Sequence, residues 1–238
     1  MAQVINTNVG ALFAGAALNK SAAALQTAQE RLSSGLRINS AKDDATGLAI
    51  ATGFDSKIRG ANMNIRNAND GISKAQISDG YLAQVTENTQ RLREIYVQTN
   101  AVTNEEAVAL IAENTRISGL VEASTAVTVD ESGGTAGGTG TVFTSATAYA
   151  DLSAFDTELT AIGTARSKFG ADMASLASAV ASLQTASVNY SASFSRVMDT
   201  DYAAETSAQA KNNILQQAGT AVLAQANQTP QTVLTLLR

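Results

Sequence analysis

Residues 152–197 read LSAFDTELTAIGTARSKFGADMASLASAVASLQTASVNYSASFSRV. Apolar side chains recur in this stretch at alternating steps of three and four residues, and only two members of the series are polar. The series is Leu152, Phe155, Leu159, Ile162, Arg166, Phe169, Met173, Leu176, Val180, Leu183, Ser187, Tyr190, Phe194 and Val197. Such heptad spacing is typical of a long helix that packs on partner helices with a left-handed supercoil. The stretch therefore predicts one helix over residues 152–198.

A matching pattern lies in the first half of the chain. The series is Ile58, Ala61, Ile65, Ala68, Ile72, Ala75, Asp79, Leu82, Val85, Thr89, Leu92 and Tyr96. We expect a second long helix from about Asp44 to Asn100. It contains Gly60, Gly71 and Gly80, each of which costs a helix about 1 kcal/mol relative to alanine. These glycines are either tolerated inside the helix or mark places where a neighbouring segment approaches closely.

Between the two long helices, the sequence predicts a short helix and a small β-hairpin. Asn104 can cap the helix, and Glu105 and Glu106 suit its first turn because carboxylates are favoured near a helix N terminus. Two β-prone pieces, 126–129 and 141–143, flank a run of glycines that predicts a turn or a flexible tip. The predicted fold class is mainly α: an elongated antiparallel helical rod with coiled-coil heptad seams and a small β-hairpin near the tip, at about 124–150.

The composition excludes most catalytic chemistry. Histidine and cysteine are absent, so no Ser-His-Asp or Cys-His centre and no zinc site of the usual ligands can form. The net charge of −5 argues against a general nucleic-acid binder. The acidic pairs Asp43-Asp44 and Glu105-Glu106 are better explained as helix caps than as catalytic carboxylates. We therefore predict no enzyme activity, no cofactor and no metal site.

No apolar run approaches the roughly 18 residues that a membrane span needs. The apolar stretch 9–18 resembles a short signal-peptide core, but no basic side chain precedes it. We predict no membrane insertion and no signal of the Sec type.

Both ends of the chain are almost free of charge. Residues 1–29 contain one charged side chain, Lys20, and residues 206–237 contain one, Lys211. Isolated helices with an apolar face and few charges elsewhere are marginal in water. The two ends either pair as a satellite bundle or form a lining that is buried between many copies of the chain. The pattern favours assembly.

Two segments carry a specific resemblance to a known family. They are ERLSSGLRINSAKDDATGLAI (30–50), in which Gly35 can end the first helix, and ILQQAGTAVLAQANQTPQTVLTLLR (214–238). Together with Ile5-Asn6-Thr7-Asn8 they resemble the two ends of bacterial flagellins, the subunits of the flagellar filament. The resemblance covers about 1–123 and 165–238. A short glycine-rich stretch stands where the family carries large variable outer domains, so the chain resembles a short form that lacks them.

The resemblance implies a domain organisation and a function. Residues 1–43 and 199–238 would form a discontinuous terminal core domain, the inner tube of the filament, and residues 44–198 the long-helix rod domain. The chain would leave the cell by flagellar type III export and self-assemble into the extracellular filament used for motility. The alternative within the flagellum is the hook–filament junction protein, whose ends are similar.

We expect assembly to depend on burial of apolar side chains. The residues expected in the assembly core are Leu12, Leu25, Leu32, Ile214, Val222, Leu234 and Leu237. Those expected in rod packing are Ile58, Ile65, Ile72, Leu176, Val180 and Leu183.

The resemblance also implies partners. They are many copies of the chain itself, the flagellar cap and hook-junction proteins, and an export chaperone that would bind about 204–238. The segment Gln90-Arg91-Leu92-Arg93-Glu94-Ile95 resembles the family segment that an innate immune receptor of animals recognises. Arg91 and Glu94 are three residues apart and so lie near each other on a helix. The alternative role for Gln90, Arg91, Arg93, Glu94 and Ile95 is contact with a neighbouring subunit.

Overall fold

Helices account for most of the chain in the computed structural model, which describes residues 7–129 and 134–236, the latter as backbone only beyond residue 228. The elements in chain order are α1 (Val9–Ser34), α2 (Ala45–Thr99), α3 (Glu105–Ser118), β1 (Val127–Thr128), β2 (Thr135–Ala136), α4 (Leu152–Met198) and α5 (Tyr202–Leu236). The mainly α fold class is confirmed, and the two predicted long helices correspond to α2 and α4.

The chain divides into two compact units. Unit 1 consists of Met1–Phe54 with Ala192–Arg238, and unit 2 of Asp55–Ser191. The domain borders expected from the resemblance, 1–43 with 199–238 and 44–198, stay a prediction.

In unit 2, α4 packs on α2 through a row of buried apolar side chains. The large buried apolar residues that α4 contributes to this unit recur every seven residues, at Phe155, Ile162, Phe169, Leu176 and Leu183. Leu176 shares a cluster with Ala68, and Phe169 shares one with Ala75, so the two helices run antiparallel. The heptad seam predicted for these helices is confirmed. At Ala68 and Ala75, α2 leaves room for the large side chains of α4, whereas beyond Ala75 it contributes large buried side chains of its own.

Helix α3 packs on α2 through a buried polar contact. Asn104 caps α3 as predicted, since its side chain accepts a hydrogen bond from the Ala107 N–H (2.9 Å). Further along, the amide of buried Asn114 accepts a hydrogen bond from Asn88 (2.8 Å) and donates one to the Thr89 hydroxyl (3.2 Å). Buried amides need partners, so this pairing fixes the position of α3 along α2.

The hairpin exists, but its second strand differs from the prediction. Strands β1 and β2 are antiparallel, with Val127 opposite Ala136. The prediction of a strand at 141–143 is wrong. Gly137 and Gly138, with φ of 75° and 82°, turn the chain away after β2, and Phe143 is drawn into the core of unit 2 instead.

Unit 1 pairs α1 with α5 through small residues. Ala14, Ser21 and Ala28 are buried on α1 at seven-residue intervals. On α5, a Cβ added to Gly219 would lie 3.2 Å from Leu18 Cδ1, so the missing side chain allows the close approach. At the N-terminal end of α1, the Asn8 side-chain amide donates a hydrogen bond to the Ala226 carbonyl of α5 (2.8 Å).

The segment between α1 and α2 carries a helix cap at each of its ends. Gly35 ends α1 in the left-handed conformation (φ 73°), as the sequence predicts. Asp44 caps α2 by accepting from the Gly47 N–H (2.8 Å). Asp43 does not cap the helix: it accepts from the backbone N–H groups of Asn39 and Ser40, and these bonds hold the pKa of its carboxyl below the usual range.

The glycines of α2 are of both predicted kinds. A Cβ at Gly71 would lie 3.1 Å from Leu176 Cδ1, whereas nothing lies within 4 Å of a Cβ at Gly60 or Gly80. Gly71 therefore marks a close approach, and the other two are tolerated inside the helix.

We expect Gly80→Ala to raise the free energy of unfolding of unit 2 by up to about 1 kcal/mol, because alanine favours helix and meets open space. Gly71→Ala has the same propensity gain, but Leu176 must move to admit its methyl group, so its gain should be smaller or negative. Urea unfolding of the two variants side by side measures the difference. Equal stabilisation by both would show that Leu176 does not constrain Gly71.

Candidate assembly surfaces

Unit 1 leaves a second set of apolar side chains in solvent. On α1, Leu12 is 66% exposed and Phe13 79%; on α5, Ile214 is 65% exposed and Val222 55%. These residues lie outside the buried series Ala14, Ser21 and Ala28, so the pairing of α1 with α5 does not cover them. Exposed apolar side chains grouped on paired helices are typical of an interaction surface.

The residues expected in the assembly core fall into three groups. Leu12, Ile214 and Val222 are exposed. Leu25 and Leu32 are half-buried on α1, at positions that alternate with the small buried residues. The side chains of Leu234 and Leu237 lie outside the described part. Phe13 and Leu215 are also exposed but were not predicted in the assembly core, although each directly follows a residue that was.

The residues expected in rod packing lie along the α2–α4 seam. Leu176 and Leu183 are buried on α4. The other four, Ile58, Ile65, Ile72 and Val180, are half-buried beside it. These four side chains are therefore partly covered within unit 2 and partly exposed to solvent.

The segment at Gln90–Glu94 forms an exposed charged surface. Arg91 pairs with Glu106 (2.8 Å) and with Glu94 (3.1 Å), and Arg93 pairs with Asp156 of α4 (3.2 Å). Hydrogen bonds from Arg91 to Glu106 and then to Glu94 raise the pKa of its guanidinium. Such exposed ion pairs add little stability and leave the surface free to meet a partner.

Ile95 does not belong to that charged surface. It is buried in a cluster with Leu92 and Phe155. Gln90, Arg91, Arg93 and Glu94 are exposed, so a contact made by this segment consists of those four residues.

Two carboxylates on α4 are buried, which was not predicted from the sequence. Asp172 is 1% exposed and Glu158 6%. Burial acts to raise the pKa of Asp172, but hydrogen bonds from Ser124, Thr139 and the Gly140 N–H outweigh it and hold the pKa below the usual value. Nothing in the sequence separates these two acids from surface acids, because their partners come from an irregular segment.

Neither a metal centre nor a bilayer span is found in the described ranges. Among residues 7–129 and 134–236, no three or more acidic side chains are grouped so that they could hold a metal ion. Within the same ranges, no helix combines the length and the apolar character that crossing a bilayer requires.

Comparison with known proteins identifies the family. The model of the bacterial flagellin N-terminal helical region matches residues 5–134, and that of the bacterial flagellin C-terminal helical region matches residues 152–237. The first alone covers more than half of the chain. The chain therefore belongs to the bacterial flagellin family, whose members are structural proteins. Only residues 135–151 lie between the two conserved regions, which confirms a short form without large outer domains.

Individual flagellins are similar over part of the chain. The flagellin of Escherichia coli K12 is 55% identical over 107 residues, which are 45% of this chain and 22% of that protein. The flagellin of Salmonella rubislaw is 57% identical over 107 residues, again 45% of this chain and 22% of that protein. The phase 2 flagellin of Salmonella typhimurium is also 57% identical, over 45% of this chain and 21% of that protein. The aligned segment thus spans about a fifth of the length of these relatives.

Proposed function

We propose that this chain is a subunit of a flagellar filament and that it polymerises with copies of itself through α1 and α5. The observation that carries the proposal is the exposed apolar surface of unit 1, formed by Leu12, Phe13, Ile214 and Val222. Membership of the flagellin family supports the same function.

The size of the hydrophobic effect supports assembly through these helices. Burial of one large apolar side chain contributes about 1.5–3 kcal/mol. Several such residues on each copy together offset the loss of conformational and rotational freedom on association. Residues 1–29 and 206–237 carry one charged side chain each, so few ionic groups must lose water when many copies pack together through them.

Seeded growth tests the proposal. Purified chain is mixed with short filament fragments and a precipitating salt and is viewed by negative-stain electron microscopy. We expect long uniform filaments from the full chain and none from a variant that lacks 1–30 and 210–238. Monomers or small rings from both samples would contradict the proposal.

The alternative, a hook–filament junction protein, differs in copy number. A filament subunit is present in thousands of copies per flagellum, and a junction protein in about one ring. The C-terminal sequence AQANQTPQTVLTLLR, which resembles flagellin proper, favours the filament subunit. Quantitative mass spectrometry of isolated flagella distinguishes the two.

We further propose a domain organisation, a set of partners and a location for this chain. Residues 1–43 with 199–238 would form the inner tube of the filament. Residues 44–198 would form the rod domain around it. The chain would be exported through the flagellar type III channel, with a chaperone on 204–238, and would fold beneath the cap of an extracellular filament next to the hook-junction proteins. It would have no enzymatic activity.

The exposed group Gln90, Arg91, Arg93 and Glu94 has two candidate roles. Arg91, Arg93 and Glu94 take part in exposed ion pairs, and together with Gln90 they offer polar groups that either a neighbouring subunit or an animal immune receptor could contact. The contact with a neighbouring subunit is the one that we favour. A dose response in receptor reporter cells measures the other role.

A further inference from the structure

We propose that residues 134–150 form a strap that two buried carboxylates of α4, Asp172 and Glu158, hold on unit 2 at two independent points. The strap contains only the two residues of β2 in regular structure. Its backbone must therefore find hydrogen-bond partners elsewhere, and the two carboxylates accept from three of its N–H groups, those of Thr139, Gly140 and Ala146.

The first attachment point is at Asp172. Its carboxylate accepts from the N–H of Thr139 (2.9 and 3.0 Å) and from the N–H of Gly140 (2.8 Å). The hydroxyls of Thr139 and Ser124 also donate to it. All of these partners are donors, so only an ionised carboxylate satisfies the whole set.

The second attachment point is at Glu158. Its Oε1 accepts from the Ser145 hydroxyl (2.5 Å) and from the Ala146 N–H (3.2 Å). Glu158 and Asp172 are two heptads apart on α4, so they lie on the same side of the helix. The strap thus runs along α4 from one carboxylate to the other.

Apolar packing fills the space between the two points. Phe143 of the strap lies in the core cluster with Phe169 and Ile162. The strap can lie flat only because residue 140 is glycine: a Cβ there would be 2.5 Å from Phe169 Cε1 and 2.8 Å from Ser124 Oγ. The segment is therefore fitted to α4 along its length.

The arrangement predicts that the two ends open separately. A helix keeps its own backbone hydrogen bonds when the strap leaves, so α2 and α4 do not depend on it for theirs. Loss of the bonds to Asp172 loosens residues 139–140, which then keep only their contacts with Ser124 and the Lys168 carbonyl, but leaves 145–146 held by Glu158. Either attachment therefore keeps Phe143 in the core, and release of Phe143 requires the loss of both.

Amide hydrogen exchange of the full-length chain at neutral pH tests this inference. We use Asp172→Asn, which replaces one of two engaged acceptor oxygens by a donor. For the other point we use Glu158→Leu, because a glutamine oxygen could still accept both bonds that Oε1 accepts. We expect the Thr139 and Gly140 amides to exchange about 10- to 100-fold faster in Asp172→Asn, with Ala146 unchanged. Glu158→Leu should show the reverse, and the matched control Asp156→Asn, an exposed acid of α4, should change none of the three amides.

The double variant tests the coupling. The ring protons of Phe143 should keep their native NMR shifts in each single variant and move to unfolded values only when both carboxylates are replaced. If the double variant fails to fold, Gly140→Ala serves in its place: its methyl group should speed exchange at 139 and 140 but not at 146. Equal acceleration at both ends in any single variant, or a buried Phe143 ring in the folded double variant, would overturn the inference.

Discussion

Leu12→Asp is expected to stop filament growth while the isolated chain keeps its helices. Leu12 is 66% exposed, so its replacement removes little packing within the chain. In an assembly that buries this position, the variant loses about 1.5–3 kcal/mol of apolar burial and must also desolvate a carboxylate. Since about 1.4 kcal/mol corresponds to a factor of ten, the critical concentration for seeded growth should rise by more than about 100-fold.

The matched control for this experiment is Leu12→Met, which keeps the side chain apolar and of similar volume. It should grow filaments at nearly the concentration of the unchanged chain. Sedimentation of filaments after seeding measures both variants, and circular dichroism checks that the monomers retain their helix content. Normal growth of Leu12→Asp would show that this surface of α1 stays in water in the polymer.

Phe169→Ala should strongly destabilise unit 2. The Phe169 side chain is fully buried in the cluster of Ala75, Ile162 and Phe143, and the backbone of Gly140 lies against its ring. Truncation leaves a cavity that the surrounding helices cannot close, so we expect a loss of about 3–5 kcal/mol in the free energy of unfolding. Urea unfolding followed by the tyrosine signal in near-ultraviolet circular dichroism measures it.

Val188→Ala provides the comparison for Phe169→Ala. Val188 is on the same helix, but it is 67% exposed, so its truncation should change the free energy of unfolding by no more than about 0.5 kcal/mol. Similar losses for the two variants would mean that the cluster around Phe169 is not the main apolar core of unit 2.

The long helices could be predicted from the sequence because their packing obeys a fixed period. The three-and-four spacing from Leu152 to Val197 requires a helix, and the buried residues recur every seventh position as expected. The Asn104 cap was equally accessible, since it depends only on residues within one turn. Local rules of this kind need no knowledge of distant contacts.

The strap could not be predicted in the same way. Its glycines indicated a turn, but the partners of that turn, Asp172 and Glu158, lie far along the chain. The expected second strand at 141–143 failed because a β-prone composition cannot show that Phe143 packs into a core formed by helices. The exposure of Leu12 and the half-burial of Leu25 likewise depend on which side of α1 meets α5, and the weak apolar pattern of α1 does not specify that.

The amide pair Asn88 and Asn114 specifies how α3 is aligned along α2. A shift of α3 by one turn would set the Asn114 amide against Val85 or Leu92, both fully buried apolar residues of α2. Each amide left without a partner there costs about 1–3 kcal/mol. Apolar side chains alone would tolerate such slippage, because one aliphatic contact resembles another. The polar pair therefore gives unit 2 a single alignment, so that the outer contour of unit 2 is the same in every molecule.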